Sequence, residues 1–262
     1  MNLSSIKQIG LDAASKSAEV LLSHFGNIRT VKKKGVIDLV TQADTGSEEV
    51  IIDVIRAAFP GHGIVAEESG LHNTQSPERW IIDPLDGTTN FAHGVPLYGI
   101  SIAFALEDEI LMGIVFNPSM DELYCAVKGE GATRNGQPIS VSQAEDLNDS
   151  LLVTGFPYTL REMIDPLMAR FKTVLNHAQG VRRLGAAALD LCYVASGRFD
   201  GFWEQHLKPW DTAAGSLIAA EAGGVVTDFS NNAFSVDMPE ILVTNGRIHE
   251  QMISLIGVKG DK

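Results

Sequence analysis

Two aspartates three positions apart, Asp83 and Asp86, flank a Pro84-Leu85 pair, and a Gly87-Thr88-Thr89-Asn90 turn follows. The apolar Trp80-Ile81-Ile82 before them reads as the end of a buried strand. Pro84 fixes φ and has no N–H for a ladder, so the strand is expected to stop at Asp83 and the chain to bend there. Such a bend can aim both carboxylates, and the Leu85 carbonyl between them, at one point. An all-oxygen set suits a hard cation such as Mg²⁺, which takes few carboxylates and keeps positions for water and substrate phosphate. Gly87 and the two threonines then offer backbone N–H groups at a helix start, where an anion is favoured. Adjacent cation and anion sites point to metal-assisted chemistry on a phosphate.

Other carboxylates are less telling alone. Glu67-Glu68 ends a short strand, where paired glutamates are usually solvated. Asp211, after Lys208-Pro209-Trp210 and before a run of small residues, reads by itself as the N-cap that begins a helix. The seven histidines include no pair four apart, which argues against a helical zinc motif. There is no Gly-x-Ser-x-Gly elbow. The Asp-x-x-Asp spacing with an internal proline departs from the Asp-x-Asp of haloacid-dehalogenase-type phosphatases. Gly61 to Ala66 matches a dinucleotide fingerprint formally, but it follows a helix where that fingerprint needs a strand. The glycines from Gly129 to Gly136 lack Walker spacing and read as a hairpin.

The elements that must position these groups follow from periodicity. Ile6, Ile9, Ala13, Val20 and Leu21 mark an amphipathic helix over the first 25 residues. Thr45 and Glu48 have capping-box spacing, and Val50, Ile51, Val54, Ile55 and Ala58 form a helical stripe expected to serve the core alone. Residues 98–106, 110–116 and 123–127 read as successive antiparallel strands. A polar stretch at 142–148 is expected to join subdomains of about 1–145 and 146–262 within one catalytic unit. Beyond it, strand and helix patterns alternate, with helices over 160–175, 186–195, 212–222 and 248–256. This is an α/β layout without repeats.

Composition narrows the function classes. The 262 residues are 45% hydrophobic, ample for a core, and carry a formal net charge of −13. That field argues against nucleic-acid binding and requires local cations at any phosphate site. The one dense basic run, Lys32-Lys33-Lys34, is too short for a nucleic-acid arm. No run is long and apolar enough for a membrane span or a signal peptide. Cys125 and Cys192 form no CxxC pair, which suits a reduced, cytoplasmic protein and leaves one disulfide compatible.

Taken together the motifs carry more than each alone. Glu67-Glu68, Asp83 to Asn90, Trp210-Asp211 with Ala214-Gly215, and Glu221-Ala222-Gly223-Gly224 resemble the signatures of the inositol monophosphatase family. Asp38-Leu39-Val40-Thr41 with Asp44, and Gly185-Ala186-Ala187-Ala188, resemble further family segments in the right order, so the resemblance covers nearly the whole chain. It implies an αβαβα layered sandwich, a usual homodimer, and Mg²⁺-dependent, Li⁺-inhibited hydrolysis of a phosphate monoester. By position, Glu67, Asp83 and the Leu85 carbonyl would hold one Mg²⁺, and Asp83, Asp86 and Asp211 a second. Glu67 with waters would hold a third, weaker ion. Asp44 and Thr88 would pair and, with Glu67, activate the attacking water, while Glu68 would support from behind. The Gly87 and Thr88 N–H groups would hold the phosphate beside Asp86 and Asp211, and Gly185, Ala187 and Glu204 would meet the inositol hydroxyls. Lys33 falls where the family carries a loop lysine near the metals.

Electrostatics agrees with this assignment. Like charges about 5 Å apart repel by roughly 3 kcal/mol at an effective dielectric of about 20. Converging carboxylates therefore need divalent cations, which also polarise the phosphoryl group and activate water. The nearest alternatives are fructose-1,6-bisphosphatase and a 3′-phosphonucleotide phosphatase, with a regulatory binding protein on the same fold as a different class. Chain length and Glu204 favour inositol or related monophosphates.

Overall fold

The computed structural model describes residues 2–27, 31–33, 39–73, 75–157 and 159–257. Asp38 lies outside the described residues, as does the side chain of Lys33. In chain order the first half runs α1 (Leu3–His24), β1 (Val31–Lys33), β2 (Leu39–Thr41), α2 (Gln42–Ala58), β3 (Gly63–Ala66), β4 (Gly70–His72), β5 (Glu78–Asp86), α3 (Thr88–Ala92), β6 (Gly99–Leu106), β7 (Glu109–Asn117), β8 (Glu122–Val127), β9 (Ala132–Arg134) and β10 (Gln137–Pro138). The second half runs β11 (Leu151–Thr154), α4 (Ile164–Leu175), β12 (Gly180–Arg182), α5 (Ala187–Ala195), β13 (Gly201–Gln205), α6 (Pro209–Glu221), β14 (Val225–Thr227), β15 (Glu240–Thr244) and α7 (His249–Ile256).

Strands β3 to β10 build one sheet in the order β10-β9-β8-β7-β6-β5-β3-β4, antiparallel except where β3 runs beside β5. A second sheet has the order β12-β11-β13-β15-β14. Period-two alternation sorts the faces of the first sheet. Trp80, Ile82, Ile100, Ile102, Phe104, Met112 and Ile114 pack toward α1 and α2. Ile81, Ala103, Ala105 and Val115 turn the other way, into a core shared with α5 and α6. The far face of the second sheet buries Leu152, Trp203 and Leu242 against Val174 of α4 and Met252 and Ile256 of α7. The result is a five-layer αβαβα sandwich, as the resemblance implied.

Three local expectations need correction. β5 does not stop at Asp83: pairing with β6 resumes at Asp86 opposite Gly99 after an irregularity between Asp83 and Asp86. Pro84 lies in that bulge, where no ladder donor is required. The cap of α2 is Thr41 with Asp44, not Thr45 with Glu48. The Thr41 N–H donates to Asp44 (2.8 Å), and the Ala43 N–H donates to the Thr41 hydroxyl (3.1 Å). Finally, α6 begins at Pro209, so Asp211 stands in its first turn rather than as its cap, accepting the Lys208 N–H (2.7 Å).

Candidate active site

The bulge in β5 gathers the central motif. With Pro84 unable to pair, the Leu85 N–H turns back to Asp83 Oδ1 (2.9 Å). Gly87 then adopts φ +88°, which glycine alone accepts cheaply, and a Cβ there would stand 3.0 Å from the Leu97 carbonyl. That turn starts α3, whose first helical bond runs from the Phe91 N–H to the Gly87 carbonyl (3.0 Å). Asp83, Asp86 and Thr88 are all buried, at the C-terminal end of β5 and the start of α3, which open into a cavity of about 430 Å³.

Helices from opposite layers, α2 on one side and α5 and α6 on the other, close on this strand end. α2 presents Asp44, Ser47 and Glu48 on the face that continues into Ile51 and Ile55. The stripe expected to serve the core alone is therefore displaced: Ala58 is exposed, Val50 and Val54 are half-buried, and the polar residues take the inner end. Ser47 donates its hydroxyl to the Pro84 carbonyl (2.9 Å), tying α2 to the bulge. Glu48 accepts the Glu68 and Ser69 N–H groups (2.8 Å each) and so fixes the strand end that carries Glu67. Asp44 accepts the Thr88 hydroxyl (3.0 Å), which also lies 3.0 Å from the Leu85 carbonyl. Thr88 has one proton, so it can serve only one of these acceptors at a time.

From the other side, α5 directs its first N–H groups at Asp86: Ala187 to Oδ1 (3.2 Å) and Ala188 to Oδ2 (2.7 Å). The Ala187 N–H is thus engaged by Asp86, and only the rest of that residue faces the cavity. Gly185, at φ +90°, makes the turn before it, and the Asn90 amide donates to the Leu184 carbonyl (2.8 Å) to hold the turn against α3. α6 brings Asp211 in. Its approach is possible because Gly113 lacks a side chain, since a Cβ there would stand 2.6 Å from the Ala214 carbonyl oxygen. Glu204 reaches the cavity from β13 and lies over Gly155, where any Cβ would collide with its carboxylate.

The cavity lining contains ten of the expected residues: Glu67, Asp83, Leu85, Asp86, Gly87, Thr88, Gly185, Ala187, Glu204 and Asp211. Asp44 stands behind Thr88, and Glu68 is outside the lining. Sequence reasoning missed Ser47, Glu48, Gly155 and Gly113. Ser47 and Glu48 were detectable as polar residues extending an apolar helical face; the two glycines had no local signal.

Burial pushes Asp83 well above the usual carboxylate range, and the charges of Glu67, Asp86 and Asp211 push it further. Asp86 is raised to about 7 by burial, with the Ala188 and Ala187 N–H groups opposing and Glu67 adding to the rise. Asp211 is raised by burial and by Asp86 and Glu67, against the Lys208 N–H. Glu204 rises to about 8, chiefly from burial and then from Asp211. Four carboxylates that feel one another across a sheltered cavity are a set for which a bound divalent cation reverses the energetics. Among the described residues no three His, Cys, Asp or Glu side chains close into a ready-made ion cage. The Leu85 carbonyl lines the same cavity, so a divalent cation there could complete its shell with that carbonyl, water and substrate oxygen.

Glu67, Asp83, Asp86 and Asp211, the bulge and the N–H-rich turn come from the signature segments, and Glu204 from outside them. The Inositol monophosphatase family pattern matches residues 2–258. The chain belongs to the inositol monophosphatase family. It is 42% identical over 247 residues to an inositol-1-monophosphatase of Synechocystis sp., covering 94% of this chain and 86% of that one. It is 43% identical over 247 residues to a putative Nus factor SuhB of Neisseria meningitidis serogroup B, covering 93% and 95%. Among solved structures, inositol monophosphatase from Anabaena superposes with a TM-score of 0.89 at 42% identity, over 98% of this chain and 96% of that one. The extragenic suppressor protein suhB from Bartonella henselae gives 0.93 at 37% identity, over 98% and 100%. Members of the family are phosphoric monoester hydrolases, so the chain is a phosphatase.

Proposed function

We propose that the protein hydrolyses myo-inositol 1-phosphate to inositol and phosphate with Mg²⁺ as its metal. The observation that carries this reading is the convergence of Glu67, Asp83, Asp86 and Asp211 with the Leu85 carbonyl on one cavity. These residues would hold two or three Mg²⁺ ions, which supply charge neutralisation, a polarised phosphoryl group and more acidic bound water. The chain's own part follows from hydrogen bonding. A cation drawing on the Leu85 carbonyl would leave Asp44 as the acceptor for the Thr88 proton. The Thr88 oxygen then accepts one proton of the attacking water and, with Glu67, turns a water lone pair toward phosphorus. The Gly87 and Thr88 N–H groups receive the phosphate oxygens. The water oxygen bonds to phosphorus as the ester P–O bond breaks; the attacking water gives up one proton to solvent and the departing alcohol oxygen takes one from solvent. Gly185 and Glu204 meet the polyol, and Glu68 supports through Glu48.

Inhibition by Li⁺, a homodimer and a cytoplasmic location belong to the same reading. Replacing Asp83 by Asn tests it: turnover of inositol 1-phosphate should fall by ~10³-fold or more, the scale of losing a main electrostatic stabiliser. A folded Asp83→Asn protein with near-native turnover would contradict the assignment. The relatives named Nus factor SuhB support a second reading, in which the same fold also serves a macromolecular partner. Partner capture that survives in Asp83→Asn would separate that role from catalysis.

A further inference from the structure

Three polar residues at the inner end of α2 hold three different parts of the site. Asp44 accepts the Thr88 hydroxyl, Ser47 donates to the Pro84 carbonyl, and Glu48 accepts the Glu68 and Ser69 N–H groups, one on each carboxyl oxygen. Ser47 gives its single proton to Pro84, so its 2.6 Å contact with Ser17 of α1 has Ser17 as the donor. This buried chain fixes α2 against the bulge that carries Asp83 and Leu85. Glu48, the next residue and also buried, grips the opposite side of the same set of ligands.

Glu67 depends on that grip. It is the first of three turn residues between β3 and β4, where ladder pairing has stopped. On its N-terminal side the chain is fixed. Ala66 pairs with Ile82, and the Glu67 N–H donates to the Ile82 carbonyl (3.2 Å), which brings Glu67 beside Asp83. On its C-terminal side lies β4, the last strand of the sheet, three residues long and carrying Leu71 at 65% exposure. The two N–H groups that follow Glu67 are the ones Glu48 accepts, so the turn is pinned to α2 as well as to the sheet. Adjacent residues of one helix, 47 and 48, thus set the spacing between Glu67 and the Asp83–Leu85 bulge.

We propose that Glu48 is a positioning residue that sets the affinity for the Mg²⁺ ion shared by Glu67, Asp83 and the Leu85 carbonyl. This rests on the metal-dependent reading above and gives that site a determinant outside its ligands. Glu48 is not part of the cavity lining. It acts by holding the backbone from which Glu67 projects, and a ligand held in place in advance need not be ordered when the ion binds.

Mg²⁺ titrated calorimetrically into the metal-free protein reads this affinity directly. In Glu48→Gln one acceptor oxygen becomes an NH₂ group facing an N–H. Kd for Mg²⁺ should then rise ~10-fold or more, the range for losing a partner that orients a ligand. Glu48→Asp keeps two acceptor oxygens on a shorter arm and should raise Kd in the same direction, which serves if the Gln variant does not fold. Lost packing alone would lower the unfolding temperature of the metal-free protein and leave Kd unchanged. The double variant decides between them. In a Glu67→Gln background, Glu48→Gln should change Kd by no more than roughly 2-fold, because the side chain it positions is already altered. An unchanged Kd in a folded Glu48 variant, or a full further loss in the Glu67→Gln background, would overturn the proposal while Mg²⁺ binding by the native protein left the metal reading standing. No Mg²⁺ binding by the native protein would overturn both.

Discussion

Asp190 is the residue whose position is hardest to reconcile with an ordinary core. It lies on α5 just behind Asp86's N–H donors, fully buried, and among the described residues neither of its carboxyl oxygens has a hydrogen-bond partner. Burial holds the pKa of its carboxyl well above the usual carboxylate range, with Glu204 and Asp86 adding to the rise and Arg183 opposing it. The folded protein thus favours the neutral acid. A group whose pKa is raised on folding contributes its full stability below the unfolded value of 3.8, and loses it as pH rises toward the folded value. Asp190→Asn, which cannot ionise, should therefore gain on the native protein by up to about 1.4 kcal/mol per pH unit above that point. Denaturant midpoints at pH 5 and pH 8 in EDTA measure this. A stability gap that is the same at both pH values would contradict the neutral assignment. Burial raises Asp44 as well, with the Thr41 and Thr88 donors opposing, whereas Asp83 has one backbone donor and three repelling neighbours.

At the scale of elements, the site depends on how closely α6 can approach the first sheet. Gly113 on β7 faces the Ala214 backbone, and Gly215 faces Leu191 of α5 with no room for a methyl. Gly113→Ala forces α6 outward against backbone atoms, an overpacking cost of about 1–3 kcal/mol. Because α6 carries Asp211, turnover should fall further than the loss of folded protein accounts for. Thermal unfolding and kcat on the same preparation decide it, and a variant with native kcat and native unfolding temperature would contradict this packing. The sequence was legible where a pattern repeats or a residue is chemically constrained. The alternation in β6 to β8 was readable, as was the helix start after Gly87. The bulge at Pro84 was not, because a proline signals lost pairing without saying whether the ladder resumes. The α2 cap was misplaced by one turn because Thr41-Asp44 and Thr45-Glu48 have the same spacing, and only the fold shows which threonine precedes the helix. Gly113 and Gly155 were silent because their role is to make room for residues distant in sequence.

For the molecule as a whole, every strand of the larger sheet ends by Pro138 and every strand of the smaller begins from Leu151. Yet α5 and α6, from the second half, cover the first sheet and share its core with Ala103, Ala105 and Val115. We propose that the two halves therefore act as one catalytic unit, with the site at the seam: Asp83 and Asp86 from the first half, Glu204 and Asp211 from the second. The net charge of −13 repels phosphate esters at long range, so binding must rest on local cations, bound metal above all. No helix among the described residues is long and apolar enough to cross a membrane. The most direct test of the metal-dependent reading is phosphate release from inositol 1-phosphate with Mg²⁺, with EDTA, and with Mg²⁺ plus Li⁺. The account predicts turnover with Mg²⁺, none in EDTA, recovery when Mg²⁺ is returned in excess, and inhibition by Li⁺. Undiminished release in EDTA would contradict the central claim that the converging carboxylates work through a bound cation.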